Sequence, residues 1–223
     1  MNKPTMIKML ELSGGAYSDL QPVCKTMKVE LIENKTTDTE CFARIIGNNV
    51  IIAFRGTDSK TNWISNFCFA KKIIPYGNSD SNIRVHRGFL ENYKSIRQTI
   101  HKMIPHNSCK ITVTGHSLGA ALAVLCAIDL QYNFENHDIE VYLFGCPRVG
   151  NAAFAKSYNK RIFKTLRVSN GNDIVTKIPP AILGFRHVGT EIHIGRLRLP
   201  HIFSFNQHRP QNYYRNLWHQ TNS

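Results

Sequence analysis

Acidic residues are scarce in this chain: 15 Asp and Glu stand against 28 Lys and Arg, a formal net charge of +13. That balance excludes an acid-rich disordered tail and favours contact with something anionic. The basic residues are scattered, with no block of five or more, so an ordinary solvated surface accounts for them equally well. Cysteines occur at 24, 41, 68, 109, 126 and 146 but never as CxxC, which removes the usual zinc and dithiol signatures. Cys126 and Cys146 lie in apolar stretches and read as small buried side chains; a Cys24–Cys41 bridge is left open. Long apolar runs are missing too. The stretch from Leu118 to Ile128 has the length of a buried helix, not of a membrane span. The first twenty residues hold no apolar segment of signal-peptide length. The expectation is therefore free thiols in a reducing, cytoplasmic setting, with no transmembrane anchor. No repeat, low-complexity segment or Pro/Gly/Ser linker divides the chain. Residues 1–223, 42% hydrophobic and 19% charged, read as one domain of a size that can bury a core.

Helix-like and strand-like stretches alternate along the sequence. Residues 5–19 read as a helix, 26–33 and 40–46 as strands, and Gly47-Asn48-Asn49 as a turn before the apolar run Val50 to Phe54. Phe89, Tyr93, Ile96, Ile100 and Ile104 recur at helical spacing. Lys110 to Thr114 reads as a strand, with a helix starting at Leu118. Glu140 to Phe144 and Lys164 to Val168 read as further strands, with a helix over 151–161 between them. A hairpin is expected over 185–199, and a last helix over 210–219 with Pro210 in its first turn. This alternation predicts an α/β fold: a mostly parallel central sheet flanked by crossover helices, with its ligand site at the carboxyl ends of the strands.

The sharpest chemical signal is Gly115-His116-Ser117-Leu118-Gly119, set between the strand ITVT and an Ala-rich helix. In that context G-x-S-x-G is a nucleophile elbow. The serine sits on a strained strand-to-helix turn, and the glycines let strand and helix approach closely. A serine hydroxyl is a poor nucleophile at neutral pH and requires a base oriented by an acid. In this type of fold the acid and then the base follow the serine in the chain. Asp173, in a turn after the strand KTLRV, is the leading acid. Asp129, well inside the helix, and Asp138, before a strand at the opposite edge, are weaker. Five histidines follow Asp173. His193 falls within a strand, His219 near the chain end, and His187 at the start of the expected hairpin. The residues alone leave His201 and His208 as contenders for the base.

A series of further motifs resembles the class 3 lipases, the fungal triacylglycerol-lipase-like branch of the α/β-hydrolases. They are AFRGT at 53–57, NW at 62–63, VHRGF at 85–89, VTGHSLGAALA at 113–123, FGCPRVGN at 144–151, NDIVTKIPP at 172–180, RHVGTE at 186–191 and HRPQNYY at 208–214. The resemblance covers the chain from about Leu10 to Leu217. It implies Asp173 as the acid and His208, shortly before Tyr213, as the base, with His201 in reserve and His187 structural. It implies an oxyanion hole from the backbone amides of Leu118 and Thr57. It also implies a short lid over about Asp58 to Phe69, in which Trp63, Ile64 and Phe67 would meet substrate.

The activity so implied is hydrolysis of a carboxylic ester of an acylglycerol or related lipid, with no cofactor or metal. The partner is a lipid ester, at a membrane or lipid-droplet surface, and no nucleic acid. Phospholipase A1 or small-ester esterase activity is the alternative on the same fold. A non-catalytic lipid- or anion-binding relative is the alternative of another kind. The sequence carries no indication of oligomeric state.

Overall fold

A computed structural model describes residues 3–15, 29–56, 71–73, 82–105, 110–134, 137–196 and 203–219. Thr57, Trp63, Ile64, Phe67, His201 and the 58–69 segment lie outside the described residues.

Among the described residues, the central sheet has seven strands: β1 (Val29–Asn34), β2 (Thr39–Ile46), β3 (Asn49–Phe54), β6 (Lys110–His116), β7 (Asp138–Phe144), β9 (Thr165–Asn170) and β11 (Thr190–Ile194), adjacent in that order. The first two join antiparallel, and from β3 to β11 every pairing is parallel. Gly47, at φ +57°, turns the chain between β2 and β3, where Ile46 pairs with Asn49. Among the described residues, five α-helices accompany the sheet: α1 (Lys3–Gly15), α2 (Arg87–Met103), α3 (Leu118–Asn133), α4 (Ala152–Arg161) and α5 (Pro210–His219). The expected helix over 5–19 thus begins earlier, at Lys3.

Period-two alternation splits the strand residues between two apolar layers. Val141 and Leu143 of β7 face the layer under α2, α3 and α4, while Tyr142 and Phe144 face the layer under α1 and α5. α3 is buried on every side from Leu118 to Leu130, which is why its sequence is apolar all round and not amphipathic. α2 covers it with an amphipathic stripe of Phe89, Leu90, Tyr93, Ile96 and Ile100, and His86 caps its first turn by accepting from the Phe89 amide at 3.3 Å.

One expectation needs correction. Residues 185–196, the described part of the hairpin expected over 185–199, do not pair with one another. β10 (Phe185–Arg186) pairs with β8 (Gly150–Asn151), while β11 joins β9 in the main sheet. β10 belongs to a second, small antiparallel sheet, ordered β10-β8-β5-β4 with β5 (Arg84–His86) and β4 (Lys71–Ile73). Its strands of two or three residues carry too little periodicity to read from sequence. The expected free thiols are found at Cys126 and Cys146, and Cys41, for which a bridge to Cys24 was left open, is likewise a buried free thiol.

Candidate active site

The parallel strands β3, β6, β7 and β9 end side by side, and the chemistry-bearing residues follow directly from those ends. Ser117 follows β6, Gly145 follows β7, and Asp173 lies three residues past β9.

Ser117 has φ +60° and ψ −127°, a conformation L-residues rarely adopt. The strain is held by tight packing. A Cβ on Gly115 would stand 2.3 Å from the Gly119 carbonyl oxygen, and one on Gly119 would stand 2.5 Å from that of Phe54. Both glycines are therefore compulsory, and Gly119 also presses the start of α3 against the exit of β3. The Ser117 amide donates to the Phe144 carbonyl at 2.9 Å, which ties the elbow to β7. Although Ser117 stands at the N-cap of α3, its side chain makes no cap hydrogen bond. The hydroxyl is left for other chemistry, against the usual habit of serine at this position.

That hydroxyl lies 2.7 Å from His208 Nε2. His208 Nδ1 lies 2.8 Å from Asp173 Oδ2, so the three side chains form one hydrogen-bonded line. His208 (3% exposed) and Asp173 (0%) are buried, and Ser117 (9%) is the member nearest solvent. The Asp173 carboxylate accepts from two more groups. Tyr213 donates its hydroxyl to Oδ2 at 2.5 Å and the Val175 amide donates to Oδ1 at 2.9 Å. Burial, and then the neighbouring Asp173 charge, push the Tyr213 hydroxyl well above its ordinary pKa, so it stays a neutral donor. The amides of Leu118 and Gly119 belong to the first turn of α3 and have no acceptor within the helix. They provide positive potential beside Ser117.

Several residues at the site were not singled out by sequence reading. Gly145, at φ +59°, faces the triad: a Cβ there would lie 2.9 Å from His208 ring atoms and 3.1 Å from Asp173 Oδ2. A lone glycine after a strand is a weak signal, and only its neighbours give it meaning. Asn170 and Gln207 brace His208. Asn170 Nδ2 donates to the Gln207 carbonyl at 2.8 Å, and the Asn172 amide donates to Gln207 Oε1 at 2.5 Å. These contacts cross more than 30 residues of sequence and leave no local trace.

The weaker candidates stand elsewhere. Asp129 is 12 residues beyond Ser117 on α3, roughly 18 Å along the axis. It is bound by Tyr93, Arg97 and His101 of α2. Asp138 opens β7 at the opposite end of the sheet, paired with Lys164. His187 donates Nε2–H to the Thr176 carbonyl at 2.8 Å. Burial and then the charges of Arg167 and Arg148 push it down to about 3, far from the range of an effective base. His193 contacts Ser169 from β11. Among the described residues no group of three or more His, Cys, Asp or Glu side chains is placed to hold a metal, and no helix is long and apolar enough to cross a membrane.

Comparison with known proteins places these features in a family. The sequence model of the class 3 lipases matches residues 51–183, which include the elbow and Asp173. A lipase of Rhizomucor miehei is 37% identical over 153 residues, covering 65% of this chain and 41% of its own length. A chloroplastic phospholipase A1 of Arabidopsis thaliana is 34% identical over 165 residues, covering 66% and 37%. The chain thus spans about two fifths of the length of these curated relatives. Among solved structures, a triacylglycerol lipase whose catalytic centre is a serine protease triad superimposes with a TM-score of 0.75 at 32% identity, covering 86% of this chain and 79% of that one. The family model spans more than half of the chain, and the chain belongs to the class 3 lipases.

Proposed function

We propose that this chain is a serine lipase that hydrolyses carboxylic esters of acylglycerols or related lipids. The observation that carries the proposal is the unbroken line Ser117 Oγ–His208–Asp173, with a serine hydroxyl not spent on capping its helix. His208 Nε2 takes the hydroxyl proton as Oγ attacks the ester carbonyl. Asp173 holds the ring by Nδ1 and stabilises the imidazolium, and Tyr213 and the Val175 amide hold Asp173. The oxyanion forms beside the Leu118 amide, with the Thr57 amide proposed as second donor. His208 returns the proton to the departing alcohol, and water repeats the sequence on the acyl-enzyme. Phe203 and Phe205, half exposed just ahead of His208, fit an apolar acyl substrate better than a polar one. Phospholipid as substrate is the second reading, favoured by the phospholipase A1 relative and by the net charge of +13.

A fluorophosphonate probe and a panel of triacylglycerol, phospholipid and short p-nitrophenyl esters test this. The wild-type protein is expected to label and to hydrolyse at least one class. Ser117→Ala and His208→Ala should each lose about 10⁴-fold or more in kcat. A wild type that neither labels nor hydrolyses any of these esters would refute the enzyme and leave a lipid-binding relative.

A further inference from the structure

His116 fills the variable position of the pentapeptide and has no part in the triad chemistry above, yet it is fully buried against the base. Its Nε2 lies 2.8 Å from the backbone carbonyl oxygen of His208. A carbonyl can only accept, so Nε2 carries the proton. The imidazoles of His116 and His208 stack with centroids 4.6 Å apart and planes 30° apart, and Tyr213 meets the His116 ring edge-on at 5.6 Å. The His208 carbonyl has a specific need of such a donor. Pro210, which opens α5, has no N–H to donate, and the amides of Asn212 and Tyr213 bond to the Arg209 carbonyl. His208 lies one residue ahead, beyond their reach.

We propose that His116 is a positioning residue for His208. Its N–H fixes the backbone of the base to the end of β6, the same strand end that carries Ser117, and its ring fixes the plane of the base imidazole. Nucleophile and base then share one rigid support. Gln207 supplies the second tether, held by Asn170 at the end of β9 and by Asn172 just beyond it. With both tethers in place, the backbone of His208 is held from two sides as Nε2 approaches Ser117 Oγ at 2.7 Å. The inference rests on the triad reading of the preceding section.

Steady-state kinetics on p-nitrophenyl butyrate separate the two. His116→Phe keeps a ring of similar size but removes the donor, and His116→Gln restores a donor near the Nε2 position. The expected result for His116→Phe is a fall in kcat of about 10- to 100-fold, the scale of an ångström-level misplacement, with KM changed less than about twofold. His116→Gln should recover kcat to within about threefold of wild type. Histidine 15N NMR of the unaltered protein reads the donor directly and does not depend on any variant folding; it should report the Nε2–H tautomer at His116. A His116→Phe enzyme with wild-type kcat, a Gln variant no better than Phe, a loss confined to KM, or an Nδ1–H tautomer would overturn the proposal. In each of those cases an active wild type beside an inactive Ser117→Ala leaves the triad standing. A wild type inactive on the ester would overturn both.

Discussion

A side chain of any size at position 145 would meet the base, because the Cβ alone falls 2.9 Å from two atoms of the His208 ring. The backbone there is also in the left-handed region, at φ +59°, which costs a non-glycine residue about 1–2 kcal/mol. Gly145→Ala is therefore expected to displace the ring from Ser117 and lower kcat by about 10²-fold, while Tm falls only by the few degrees that 1–2 kcal/mol represents. Steady-state kinetics alongside a melting curve check this, and a fully active Gly145→Ala would show that the ring is free to move. At this scale the sequence was legible in part. Ser117 is readable because its pentapeptide is a local geometric requirement, with glycines at 115 and 119 that the packing makes compulsory. Choosing His208 over His201 required the family resemblance. Gly145, His116, Asn170 and Gln207 were not readable as site residues, because each acts on a partner that is remote in sequence.

At the level of elements, α2 and α3 are clamped by a buried carboxylate. Asp129 of α3 accepts from Tyr93 at 2.7 Å, Arg97 at 2.9 Å and 3.0 Å, and His101 at 2.5 Å, all on α2. Burial alone would raise its pKa, but the hydrogen bonds from His101, Arg97 and Tyr93 outweigh that and hold it at about 2, against an ordinary 3.8. A depressed carboxylate stabilises the fold fully above its unfolded value and progressively less as pH falls through the folded one. The contribution, about 2 kcal/mol, should thus be present above pH 4 and lost toward pH 2. Asp129→Asn removes the carboxylate charge opposite Arg97 and one of the two acceptor oxygens shared by Tyr93, Arg97 and His101, and is expected to cost about 3 kcal/mol, a Tm lower by roughly 6–12 °C. Between pH 4 and pH 2 the variant should lose less stability than wild type, and its kcat at moderate temperature should be near normal, since Asp129 is remote from Ser117. An unchanged Tm would mean that the clamp contributes nothing net. The helices themselves were legible from periodicity, as at Phe89, Tyr93, Ile96 and Ile100. Their pairing through Asp129 was not, because a charge inside an apolar helix has no sequence rule that names its partner.

Over the whole molecule, the excess of 13 positive charges acts through solvent and is screened by salt. If an anionic lipid surface is where the protein works, the inactive Ser117→Ala form should sediment with phosphatidylglycerol vesicles in about 0.1 M NaCl. Most of that binding should vanish near 1 M, where the Debye length falls from about 10 Å to about 3 Å. Equal binding to neutral phosphatidylcholine vesicles, or none to either, would discard the charge as a docking device. The sequence by itself determined the class of the fold, the parallel core and the nucleophile elbow. Those follow from local rules: the period of apolar residues, the turn propensity of glycine, and the burial of an all-apolar helix. Only the tertiary structure decided that β10 and β11 go to two different sheets, which glycine faces His208, and what holds His208 in place. Those outcomes depend on distances between residues that are remote from one another in the chain, and such distances exist only once the sheet has closed its register.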